Sequence, residues 1–105
     1  MEATIEIYND DDFTLIGPGV RYNPFSGRFK HKIQADNAEE LYVKTATWLL
    51  SLEIREPYDT ESTYNQYEVG AGHGFRIALY EAARHVIKGW PFSWGGNREI
   101  DVTFN

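Results

Sequence analysis

Residues 68–89 read Glu68-Val69-Gly70-Ala71-Gly72-His73-Gly74-Phe75-Arg76-Ile77-Ala78-Leu79-Tyr80-Glu81-Ala82-Ala83-Arg84-His85-Val86-Ile87-Lys88-Gly89, and the fold class turns on how that stretch is read. Its second part has helical spacing: Phe75, Leu79, Ala82, Ala83 and Val86 share one face, which predicts a helix from about Gly74 to Lys88. Arg84, His85 and Lys88 occupy the last turns, where cations suit the helix dipole, and Gly89 stands where a C′ glycine ends a helix. The first part places glycines at 70, 72 and 74. Such a run serves either as a ligand-approaching loop in a βαβ unit or as a flexible lead into the helix. What lies upstream decides between them.

Upstream, the chain reads as strands and hairpins. Thr4-Ile5-Glu6-Ile7-Tyr8 alternates with period two and predicts a half-buried strand, ended by a polar turn at Asn9-Asp10-Asp11-Asp12. Phe13-Thr14-Leu15-Ile16 predicts a second strand, stopped at Gly17-Pro18-Gly19. Val20-Arg21-Tyr22 and Arg28 to Ile33 flank Asn23-Pro24-Phe25-Ser26-Gly27, a hairpin signal. Asp36 or Asn37 is an N-cap candidate with Glu39 or Glu40 three residues on, and the stripe Ala38, Leu41, Tyr42, Thr45, Trp48, Leu49, Leu52 predicts a helix over 38–53. Residues 55–67 read as a long acidic loop with a short edge strand near Tyr64. Glu99-Ile100-Asp101-Val102-Thr103-Phe104 predicts a closing strand able to pair with the first. The expectation is one α+β domain over residues 1–105: a small, mostly antiparallel sheet of four or five strands, hairpins first, with two helices packed on one face.

The segment Glu68-x-Gly70-x-Gly72-x-Gly74 resembles the cofactor loop of S-adenosylmethionine-dependent methyltransferases. That resemblance implies a cofactor bordered by Gly70, Gly72 and Gly74, with Glu99 or Asp101 in the place of a ribose-binding carboxylate. Other features depart from it. Thr63-Tyr64-Asn65-Gln66-Tyr67 is too polar for the buried parallel strand that should precede the loop. A doubly wound sheet also needs repeated βαβ units, whereas only one strand follows this helix. Read against the hairpins, the glycine run becomes a hinge between the acidic loop and the second helix, and no cofactor is expected.

Composition narrows the function classes. The chain has 105 residues, 42% hydrophobic and 15% aromatic, so it can bury a core; it has no cysteine, hence no disulfide or thiolate chemistry. No apolar run reaches the roughly 18 residues of a membrane span, and the acidic start does not read as a signal or transit peptide, which makes the cytoplasm the expected compartment. Net charge is −6. An acidic protein is repelled by nucleic acid and attracted to basic surfaces of other proteins.

Several clusters remain candidates. Asp10, Asp11 and Asp12 lack the alternating ligands and distal glutamate of a calcium loop, so they read as an anionic patch rather than a metal site. Glu56, Tyr58, Asp59, Glu61 and Tyr64 combine carboxylates with rigid aromatic contacts, the chemistry of a surface that engages a basic partner. The hairpin over 20–33 carries Arg21, Arg28, Lys30 and Lys32 with no acid. With Tyr22, Phe25 and Phe29 interleaved, it resembles the DNA-reading hairpin of AP2-type and integrase arm-binding domains, which implies an alternative nucleic-acid-binding role. Trp90 is expected in the core, and Phe92 and Trp94 in either core or interface. His31, His73 and His85 show no metal-ligand spacing, and no catalytic motif is present. These readings converge on a non-catalytic protein-binding domain that occupies a basic surface on a partner, with a homodimer as an open alternative. In size and charge it is similar to phage anti-CRISPR, anti-restriction and toxin-immunity proteins.

Overall fold

The computed structural model describes residues 1–17, 20–55, 63–95 and 98–105. In chain order it contains β1 (Glu2–Gly17), β2 (Val20–Gln34), α1 (Ala38–Leu50), β3 (Glu53–Arg55), α2 (Thr63–Val86), β4 (Phe92–Trp94) and β5 (Arg98–Phe104). All strand pairs are antiparallel, with sheet order β2-β1-β5-β4 and β3 added to the far part of β1. β1 is therefore the spine. Its 16 residues extend roughly 50 Å at the usual strand rise, matching the longest molecular dimension of 47 Å.

Alternation along β1 sorts its near half into two faces. Ala3, Ile5 and Ile7 are fully buried, and Ile33, Ile100 and Val102 from the neighbouring strands join them. Both helices cover that face with Leu41, Trp48 and Leu49 of α1 and Phe75, Leu79, Ala82 and Val86 of α2. The α+β class, the antiparallel sheet and the pairing of the first and last strands (Thr4 opposite Thr103, Ile7 opposite Ile100) hold as the sequence predicts.

The first correction concerns the hairpins. Asp10-Asp11-Asp12 is not a turn between two strands, and Asn23 to Gly27 is not a hairpin connection; β1 and β2 each run through these segments. Gly17 pairs with Val20, so the strands join with only two residues between them. The breakers act as bulges instead. Asn9 pairs with Gly27 and Phe13 with Phe25, which leaves Asp10, Asp11 and Asp12 opposite Ser26 alone; next along, Thr14 faces Asn23-Pro24. A bulge is where a strand tolerates proline, because the lost N–H is not needed by the ladder.

The second correction concerns the glycine run. Residues 63–74 belong to α2, so there is no loop reaching Tyr67, no edge strand near Tyr64 and no hinge at Gly70–Gly74. The short extra strand is Glu53–Arg55, paired with Thr14–Ile16. Each helical glycine costs about 1 kcal/mol relative to alanine. Extending an existing helix nevertheless adds one hydrogen bond per residue, so the packed segment from Phe75 onward can carry these turns.

Helix ends follow local chemistry. Asn37 caps α1, its Oδ1 accepting the Glu40 N–H at 2.9 Å. The helix stops at Leu50 rather than residue 53: Ser51 is its C-cap, with its N–H donating to the Thr47 carbonyl and its Oγ to that of Trp48, and the next N–H, of Leu52, reaches only the Leu49 carbonyl at 3.4 Å. At the end of α2, Gly89 has φ +82°; its N–H donates to the Val86 carbonyl, and that of Trp90 to the His85 carbonyl. This is a Schellman motif. It turns Trp90 outward, 53% exposed, edge-on to His85 and beneath the Lys88 ammonium, so Trp90 is not core as expected. Phe92 and Trp94, on β4, do pack against the core.

Candidate partner-binding surface

The helices cover one face of the sheet and leave the other to solvent. Glu2, Thr4, Glu6 and Tyr8 of β1 alternate with its buried residues and carry that open face, flanked by Arg28, Lys30 and Lys32 from β2 and Glu99, Asp101 and Thr103 from β5. Lys30 stands opposite Glu6, and Arg28 opposite Tyr8. The registers thus bring three of the four basic residues of the 20–33 segment beside acids.

Each of those three cations is engaged. Arg28 bridges two strands' worth of acid: Nη1 lies 3.2 Å from Glu6 and Nη2 3.0 Å from Glu99, with the guanidinium carbon 5.5 Å above the Tyr8 ring. Lys30 lies 3.2 Å from the other oxygen of Glu6, and Lys32 3.7 Å from Glu2. The Glu2 carboxylate also accepts from Gln34 and Asn105. Asp101 accepts the Ser93 hydroxyl at 2.6 Å. Hydrogen bonds from Lys30 and then Arg28 hold the Glu6 carboxyl below the usual carboxylate range, and Gln34 leads the same effect at Glu2. Glu6 in turn raises the Arg28 guanidinium. The cations are exposed and their carboxylate partners only half-buried, so the network sets geometry more than stability.

The face is consequently not a cationic one. Four carboxylates (Glu2, Glu6, Glu99, Asp101) meet three cations (Arg28, Lys30, Lys32) on it. Phosphate binding would have to displace carboxylates already in place. Arg21 lies farther along β2, paired with Ile16. The acidic partners of the hairpin were in the sequence at Glu2, Glu6 and Glu99, but only strand register could show that they lie beside it.

Past the last β1–β5 pair, Asn9 with Arg98, β1 continues into the bulge holding Asp10, Asp11 and Asp12. The three aspartates therefore sit on the spine strand directly beyond the end of β5, where extra residues on one strand bend it and increase its twist. Tyr64 belongs to the first turn of α2. Glu56, Tyr58, Asp59 and Glu61 lie outside the described residues. The geometry thus places Asp10–Asp12 on a strand and Tyr64 on a helix.

For the methyltransferase-like segment, Gly70, Gly72 and Gly74 are interior helical residues preceded by further helix rather than by a strand. Glu99 engages Arg28, and Asp101 accepts from Ser93. Among the described residues no group of three His, Asp or Glu side chains could hold a metal ion, and no helix is long and apolar enough to cross a membrane. Comparison with protein families, with curated proteins and with solved structures finds no match to this chain.

Proposed function

We propose that this protein is a non-catalytic protein-binding domain that occupies a basic surface of a partner, with Asp10, Asp11 and Asp12 as its principal contact. The observation that carries this reading is the bulge: three consecutive aspartates stand opposite one residue of β2, on a strand whose near half is anchored in the core. Carboxylates mounted on an anchored strand lose little further backbone freedom on binding, which favours affinity. A net charge of −6 steers the domain toward cationic partners. The three cations of the open face stand beside four carboxylates, so that face adds no net positive charge. Glu56, Tyr58, Asp59, Glu61 and Tyr64 form the second proposed contact.

A partner whose basic surface serves nucleic acid would be inhibited by such occupation. This is the mode in which the likeness to anti-CRISPR, anti-restriction and immunity proteins would be realised. The test is capture of partners from the native host with the wild-type domain and with the Asp10→Lys/Asp11→Lys/Asp12→Lys variant. The reading expects a salt-sensitive partner captured by the first and lost with the second. A partner retained equally by both, with unchanged salt dependence, would show that the bulge is not the contact.

A further inference from the structure

From Phe75 onward α2 presents apolar residues on two opposite faces, and the core uses only one of them. Phe75, Ala78, Leu79, Ala82 and Val86 are buried against the sheet and α1. About half a turn away, Ile77 is 49% exposed and Tyr80 62%, and Ile87, in the turn that continues from α2 with its N–H donating to the Ala83 carbonyl, is 45% exposed. Arg84 completes that outer stripe and is paired at 3.1 Å with Glu81, the two side chains being 73% and 44% exposed. The spacing 77-80-84-87 alternates three and four residues, the seam pattern by which one helix packs along another.

We infer that this stripe is a two-fold interface on which α2 packs antiparallel to α2 of a second copy of this chain. The occupant follows from the order of residues along the stripe. Ile77 and Ile87 are equidistant from position 82, and so are Tyr80 and Arg84. A dyad at that level sets Ile77 against the partner's Ile87 and Tyr80 against the partner's Arg84, each contact occurring twice, as an isologous interface requires. The guanidinium then meets an aromatic ring. The two Glu81–Arg84 pairs also come together as four charges of alternating sign, so the charged residues within the seam are complementary to their own copy. The four stripe residues offer roughly 500 Å² per copy, or roughly 1,000 Å² in all, the lower bound for a specific interface. An interface of that size belongs to the weak, reversible class.

The absence of cysteine makes the geometry directly testable. Ile77 and Ile87 are about 15 Å apart along one helix, so neither Ile77→Cys nor Ile87→Cys should self-crosslink in an antiparallel dimer. An equimolar mixture of the two variants should form a disulfide-linked pair. Sedimentation should show wild-type dimer at tens of micromolar. Ile77→Glu and Tyr80→Glu, both at exposed sites, should raise the dissociation constant at least about 30-fold with circular dichroism and melting unchanged. A wild-type chain that stays monomeric to several hundred micromolar would overturn the inference and leave the stripe to a different partner. Crosslinking of Ile87→Cys alone as fast as the mixture would equally overturn it, because that result means parallel helices.

Discussion

Replacing Gly89 by alanine should be among the most damaging single-methyl changes in this protein, for two separable reasons. Gly89 has φ +82°, in the region where a side chain costs about 1 kcal/mol or somewhat more. A Cβ built there would also lie 2.7 and 2.8 Å from Cε2 and Cζ of Tyr42. That ring cannot swing freely, since it packs edge-on against Phe104 at 5.1 Å. Overpacking of this kind costs about 1–3 kcal/mol. Together they predict a loss of about 2–4 kcal/mol, a large part of the total stability of a domain this size. Urea unfolding followed by tryptophan fluorescence should show a lower midpoint with little change in slope. Adding Tyr42→Ala should relieve the steric part, so the double variant should lose clearly less than the sum of the two single variants. A Gly89→Ala variant within about 0.5 kcal/mol of wild type would refute both the left-handed cap and the ring contact.

Two further predictions test other joints of the fold. Asn37→Ala removes the acceptor of the Glu40 N–H and should cost about 1 kcal/mol, read by urea unfolding, with Asn37→Asp restoring most of it. His31 stacks on Trp48 at 4.3 Å with the rings 8° from parallel, and burial lowers its pKa from the usual 6.5. The unfolded chain therefore takes up the proton first, so this contribution is fully present above pH 6.5 and declines as pH falls below it. His31→Phe should keep the stack and flatten the melting temperature between pH 7 and 5.5 relative to wild type; an unaltered profile would show that His31 does not titrate differently on folding.

Much of the architecture was legible because it rests on local signals. The alternation of Thr4 to Tyr8 and Glu99 to Phe104, the Asn37 cap and the Gly89 stop each report a backbone preference decided within a few residues. The misreadings share a cause as well. Asp10–Asp12, Asn23–Gly27 and Gly70–Gly74 are breaker-rich, and a breaker read alone predicts a turn. In the fold the first two are bulges in long strands, and the third lies within a helix continuous with its packed C-terminal half.

The outer stripe of α2 was also readable, since Ile77, Tyr80 and Ile87 are what remains once the core face is assigned. Nothing local says that such a remainder is left uncovered. The charge pattern is the sharper case. From sequence, Arg28, Lys30 and Lys32 form a basic strand; in the sheet each lies against an acid from β1 or β5.

By itself, then, the sequence determined the α+β class, the strands that close the sheet, the capped ends of its helices and an acidic, cysteine-free chain. Tertiary structure alone decided that the basic strand is neutralised, that three aspartates share one bulge and that the glycine run is helical. Periodicity and capping are encoded over single turns and strands. Register and packing join residues as far apart as Arg28 and Glu99, and no local propensity specifies those partners.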